Sequence, residues 1–383
     1  MSDHSVYGAS GAHRWMKCPG SINAEKDIPE TESSFAYEGT CAHELAELCL
    51  SKGINARRRI GLPLPINKEW IVDEEMADYV QEYVDYIKGL GGIQEYEQKV
   101  SYEKWLAEGW GTVDAIAVRD ETLFVGDLKY GKGVPVYAEE NPQAMLYALG
   151  ALGEYSPFYK ISKVVIIIHQ PRLDHVSTWE TTPEALEEFG HYARACAAKA
   201  MEPDAKRIPG ETQCRWCRAK PVCPALMHKT EHALMLQFAE MDKSAPIPPE
   251  NLRPEDLKFV LNNKSLIEIW LKSVEEYVIN KLQAGETFEG WKMVEGRSNR
   301  KWADEEAASV ELFKLLLTGA YTQKLLTPTQ AEKALGKEDK EKIQHLIVKP
   351  AGSPVLVPDS DKREPIKMLT PSNFDSFGSN NKQ

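Results

Sequence analysis

Residues 122–134 read TLFVGDLKYGKGV, and the way this stretch folds decides the rest of the chain. Leu123, Phe124 and Val125 have strand character, Asp127-Leu128-Lys129 follows, and a loop with two glycines comes next. Side chains repeat every second residue along a strand, so Asp127 and Lys129 point to the same side. Taken alone, an Asp-x-Lys triplet reads as a surface salt bridge. The neighbouring stretch changes that reading. GWGTVDAIAV, residues 109–118, is a second β run carrying Asp114, and only Arg119-Asp120-Glu121 separates the two. A hairpin is expected, with Asp114 and Asp127 at one end of a sheet. Two carboxylates held together repel each other unless a cation lies between them, and Mg²⁺ or Mn²⁺, hard ions with oxygen ligands, suit that place. A lysine beside such a centre can orient a water or stabilise charge developing on a phosphate.

Working outward, EGTCAHELAELCLSKG (38–53) reads as a helix that carries His43, a candidate third ligand. NPQAMLYALGALGEY (141–155) is an amphipathic helix on which Gln143 and Tyr147 share a face, being four residues apart. A helix at 73–90 and β runs at 96–102, 112–118, 123–128, 164–169 and 176–181 come next. A helix at 183–201 completes an α/β pattern with a mixed central sheet flanked by helices. Residues 1–245 are expected to form this domain. A mainly helical extension is expected over 246–349 and an extended or disordered tail over 350–383. Within the extension, 254–284 reads as one long helix burying Leu257, Val260, Leu261, Ile267, Trp270, Leu271, Val274 and Val278.

The net charge of −12 argues against a surface that coats nucleic acid throughout, though not against a local basic groove. Residues 204–229 hold six Lys/Arg against two Asp/Glu, and Arg57, Arg58 and Arg59 are adjacent. No apolar run approaches the roughly 20 residues of a membrane span, and the N-terminus lacks the apolar core of a signal peptide. A cytoplasmic setting is expected, with the seven cysteines as metal ligands or buried thiols.

TQCRWCRAKPVCPAL (212–226) supplies Cys214, Cys217 and Cys223, a C-x₂-C-x₅-C cluster with one thiolate too few for a tetrahedral or cubane site. Cys18 in HRWMKCPGSI is read as the fourth, while Cys41, Cys49 and Cys196 suit helix packing. Spacing alone leaves zinc and iron–sulfur both open. Arg215, Arg218 and Lys220 lie in the same loop, where they could flank a nucleic-acid strand.

In chain order the segments AHELAE, GTVDAI, GDLKYG and QAMLY carry His43, Asp114, Asp127-x-Lys129 and Gln143-x₃-Tyr147. This series resembles the RecB-type branch of the PD-(D/E)XK nuclease superfamily. The resemblance covers about residues 10–230 and implies a restriction-endonuclease-like core. It further implies that His43, Asp114, Asp127 and the backbone carbonyl of Leu128 hold Mg²⁺ or Mn²⁺, that Lys129 assists the attacking water, and that Gln143 and Tyr147 contact DNA. The cysteine arrangement is similar to that of CRISPR-associated and AddAB-type iron–sulfur nucleases, which implies a structural [4Fe–4S] cluster, with zinc as the lesser alternative. The C-terminal part, with GWKMVEGRSNRKW (290–302) and VPDSDKR (357–363), resembles a phage and prophage family of unknown function in the same superfamily.

The expected activity is that of a metal-dependent deoxyribonuclease, an exonuclease acting on DNA ends or single strands in phage recombination or replication. Its setting would be the cytoplasm of a bacterial host, with a phage annealing or replication protein as candidate partner. Trp110 and Tyr147 are available to stack on bases. The competing readings are a non-cleaving DNA-binding recombination accessory protein and a zinc-clipped structural protein of a phage particle.

Overall fold

The computed structural model describes residues 6–29, 34–235, 253–289 and 291. The expected boundary at 245/246, the extension beyond residue 291 and the tail from 350 lie outside the described residues. The chain divides into two compact units, Met1–Gly290 and Trp291–Gln383, and the sheet with its helices belongs to the first.

Five strands form one mixed sheet in sequence order: β1 (Ile93–Ser101), β2 (Trp110–Arg119), β3 (Thr122–Leu128), β4 (Lys163–Gln170) and β5 (His175–Thr181). Adjacent strands are antiparallel except β3 and β4, which are parallel. The expected hairpin between β2 and β3 closes on Arg119–Thr122, with Asp120 and Glu121 both at positive φ, the twist that a tight two-residue hairpin needs. A parallel pair requires a crossover, and it contains the helix over Pro142–Tyr155.

In chain order the helices are α1 (Ala12–Trp15), α2 (Ser21–Glu25), α3 (Ser34–Lys52), α4 (Glu74–Leu90), α5 (Pro142–Tyr155), α6 (Pro183–Ala200), α7 (Glu211–Arg215), α8 (Pro224–Met235) and α9 (Pro254–Gln283). α5 and α6 bury Leu146, Leu149, Leu186 and Ala193 with Val118, Val125, Val164 and Ile166 of the strands. On the opposite face α3 and α4 bury Leu45, Cys49, Val80, Val84 and Ile87 with Ala115 and Leu128. Covered on both faces, β4 is buried from Val164 to Gln170, which is why VVIII reads as an unbroken apolar run. β5, at the edge, alternates.

α9 packs on α7 and α8 through Leu266, Ile269 and Trp270, which meet Cys214, Cys223 and Leu226. The buried stripe expected for this helix is therefore corrected: Leu261, Leu271 and Val274 are exposed, and the line through Asn263, Leu266 and Ser273 is buried. Apolar residues lie on several faces of this helix, so spacing alone could not choose the packed one.

The N-terminal segment is clasped to the cysteine loop by charge. Glu25, buried, accepts from Arg218 N–H at 2.7 Å and pairs with the Arg14 guanidinium at 2.8 Å. Removing one partner of a largely buried pair leaves uncompensated charge. Glu25→Gln is expected to destabilise this unit by about 2 kcal/mol, read as a lower midpoint of thermal unfolding.

Candidate functional site

The last ladder pair of the β2–β3 hairpin is Ala115–Gly126, so Asp114 and Asp127 stand one step further, at the mouth of the sheet. Asp114 Oδ2 accepts from Leu128 N–H at 2.6 Å, which continues the strand pairing through a side chain. His43, on α3, brings Nδ1 to 3.2 Å from Asp114 Oδ1. Lys129 N–H is anchored on the His169 carbonyl of β4 at 2.9 Å, and its ammonium reaches both oxygens of Asp127, at 2.9 and 2.7 Å.

The start of α5 is fixed by sequence. Asn141 caps it, its side chain accepting from Gln143 and Ala144 N–H, and Pro142 has the preset φ of a first helical residue. This aims Gln143 at the site, where its Oε1 accepts from Lys129 at 3.3 Å while its Nε2 donates to Tyr147 OH at 3.3 Å. Gly111 makes room for Tyr147, because a Cβ there would stand 2.6 Å from the ring. One line of polar contacts thus runs Asp127–Lys129–Gln143–Tyr147, beside the Asp114–His43 pair.

The electrostatics are those of crowded acids with too few cations. Burial alone would lower the pKa of His43, but Asp114 and Asp127 raise it to about 9. Asp114 is held below its ordinary value: burial opposes this, and His43, Lys129 and the Leu128 amide outweigh it. Asp127 is pushed up by burial and by Asp114, against Lys129. Its Oδ2 is buried and makes no hydrogen bond within the described structure, although the ammonium stands beside it.

Sequence reading missed Glu97. Burial and then Asp114 lift its carboxyl to about 7. Among the described residues, His43, Glu97 and Asp114 form the one group of three or more His, Cys, Asp or Glu whose ligand atoms all lie within 4.8 Å of one another. The expected set placed Asp127 and the Leu128 carbonyl with His43 and Asp114; in this structure Asp127 is engaged by Lys129, and the Leu128 amide by Asp114. The β1–β2 register sets Glu97 opposite Asp114, a position that only the fold reveals.

The donor set fits a divalent cation: one imidazole and two carboxylates whose ligand atoms lie within 4.8 Å of one another. The pH dependence of the metal-free protein follows from two raised pKa values, Glu97 about 7 against an ordinary 4.5 and His43 about 9 against 6.5. A raised value adds stability that is complete below the ordinary pKa and is lost as pH climbs through the folded one. Thermal unfolding in chelator is expected at progressively lower temperature from pH 5 to pH 9, with Mn²⁺ reversing the trend. A flat or rising midpoint would contradict this.

Cys18, Cys214, Cys217 and Cys223 line one pocket. Gly20 permits it: its amide donates to the Lys206 carbonyl at 3.0 Å, and any side chain there would collide with the Ala205 carbonyl. Ile208 N–H then donates to Cys18 Sγ at 3.2 Å. Burial holds the Cys18 and Cys214 thiols above their ordinary pKa and pushes Cys217 up to about 12, with Glu25 adding to the last. Thiolates at this place therefore require a compensating cation. No three of these sulfurs fall within 4.8 Å of one another.

The remaining candidates make contacts within the chain. Arg215 pairs with Glu211, Arg218 with Glu25, and Lys220 with Glu276. Arg57 pairs with Asp78. Lys99 Nζ covers one face of Trp110 at 3.9 Å from the ring centre. Cys41, Cys49 and Cys196 are buried in helix contacts, as expected. Among the described residues no helix is long and apolar enough to cross a membrane.

A family model described as "Protein of unknown function (DUF2800)" matches residues 4–364. The chain belongs to this family. A solved structure entitled "Crystal structure of SSO0001" is similar at 14% identity over 54% of this chain and 95% of that one, with a TM-score of 0.24. For this DUF2800 chain, chemistry has to be read from the site itself.

Proposed function

We propose that this chain is a metal-dependent deoxyribonuclease, exonuclease-like, that hydrolyses phosphodiester bonds at DNA ends or in single strands during phage recombination or replication. The observation that carries the reading is the continuous line from Asp127 through Lys129 and Gln143 to Tyr147 beside the His43–Glu97–Asp114 group. Carboxylates and an imidazole would hold Mg²⁺ or Mn²⁺, which supplies Lewis-acid polarisation of a phosphoryl oxygen and a more acidic water. Lys129, fixed by Asp127 and Gln143, orients the attacking water and offsets charge on the non-bridging oxygens of the five-coordinate phosphorus. Tyr147 presents an aromatic edge and a hydroxyl to the strand, a sequence-tolerant contact. The Asp114–Leu128 hydrogen bond keeps the two acidic strands in register as substrate binds.

The four cysteines would hold a [4Fe–4S] cluster. Zinc bound by thiolates at about 2.3 Å brings the sulfurs to roughly 3.8 Å from one another. In a [4Fe–4S] cluster each thiolate would instead meet its own iron, and all four cysteines line the one pocket. Protein purified without air should then be brown, whereas a zinc protein is colourless.

The direct experiment is incubation of labelled single- and double-stranded DNA with the whole chain and Mg²⁺ or Mn²⁺. Cleavage that chelator abolishes is expected. Binding without cleavage under every metal condition would replace this reading with that of a recombination accessory protein.

A further inference from the structure

Glu97 and Tyr83 have no part in the family pattern, yet both are built into the site. Tyr96 and Gln98 pair with Ala115 and Val113, so the register sets Glu97 opposite Asp114, but the two make no ladder pair. Glu97 takes φ +49°, a left-handed conformation that is uncommon outside glycine and persists only where the surroundings impose it. The result is a second carboxylate beside His43 and Asp114, its oxygen within 4.8 Å of their ligand atoms. Like charges opposite one another on neighbouring strands are destabilising unless something joins them.

Tyr83, on α4, supplies an independent sign. It is 1% exposed, and its hydroxyl finds no hydrogen-bond partner in the described structure. Asp114, Asp127 and Glu97 are close enough to add to the effect of burial in disfavouring its phenolate. A buried hydroxyl requires a partner, and a water held between phenol and carboxylates would provide it.

We propose that Glu97 is a direct ligand of the divalent cation, together with His43 and Asp114, and that Tyr83 holds a water bound to that cation. The biological purpose of the assignment rests on the nuclease reading; its test does not. One nitrogen and several oxygens suit Mn²⁺ and leave octahedral positions for water and phosphate.

Titration of the metal-free full chain with Mn²⁺, by calorimetry and by loss of the free-ion EPR signal, decides the matter. Glu97→Gln is expected to weaken binding at least about tenfold. Glu47→Gln removes the same charge from an acid near Glu97 that is not in the ligand group, and should stay within about twofold. Tyr83→Phe should bind within about threefold of wild type and change the EPR spectrum of the bound ion. Thermal unfolding in chelator should show Glu97→Gln at least as stable as wild type, since it relieves repulsion. Should that variant fail to fold, Glu97→Asp, which keeps the charge and withdraws the carboxylate, must show the same weakening. Unchanged affinity in the Glu97 variants, or equal losses in the Glu97 and Glu47 variants, overturns the assignment. A protein that binds Mn²⁺ through Glu97 yet leaves DNA intact would overturn the nuclease reading alone.

Discussion

Asp127→Asn is expected to lower DNA cleavage by about 10³-fold or more without unfolding the protein. The two side chains are nearly the same size, and Asp127 is buried at the end of β3, where β4 holds the strand in place. The change removes one negative charge from a point where the ammonium of Lys129 is gripped by both oxygens. Asparagine keeps one acceptor oxygen but sets an uncharged amide against the ammonium, so the lysine loses its charged two-oxygen grip and the orientation that makes it useful to a reacting phosphate. Lys129→Ala should reach a similar floor, because the two act as one unit and their losses do not add. Glu211→Gln, in the cysteine loop, should cleave normally. Rates equal to wild type in both the Asp127 and the Lys129 variants would remove the active site from this end of the sheet.

Cys217→Ala is expected to lower the thermal unfolding midpoint of the whole first unit by about 10 °C or more, not only turnover. The four cysteines come from two segments nearly 200 residues apart, one ahead of the sheet and one after α6. A metal centre among them closes that loop, and its binding free energy becomes folding free energy. The protein–protein contacts alone are modest at this place: the Glu25 clasp, the Gly20 approach and the small cluster around Leu226. Calorimetry of anaerobically prepared wild type and variant checks the prediction. Identical midpoints would show that the pocket is stabilised by packing alone.

The strands and helices were legible because their periods are physical. β5 alternates because one face is solvated, β4 does not because both are covered, and Asn141-Pro142 announces the start of α5. The motif residues were legible for a related reason. Asp127 and Lys129 are two apart, and Gln143 and Tyr147 four apart, so local geometry alone groups each pair. The pairing of the basic loop was legible only in part: Glu211 lies four residues before Arg215, whereas Arg218–Glu25 and Lys220–Glu276 join distant segments.

By itself, then, the sequence determined the elements, the hairpin that carries Asp114 toward Asp127, and the order of the polar residues along it. These depend on neighbours a few residues apart, whose positions the backbone period dictates. The tertiary structure decided that Glu97 joins His43 and Asp114 and which side of α9 is buried. Each of those depends on strand register or on contact between distant segments, and register shifts by one residue exchange every side chain between faces.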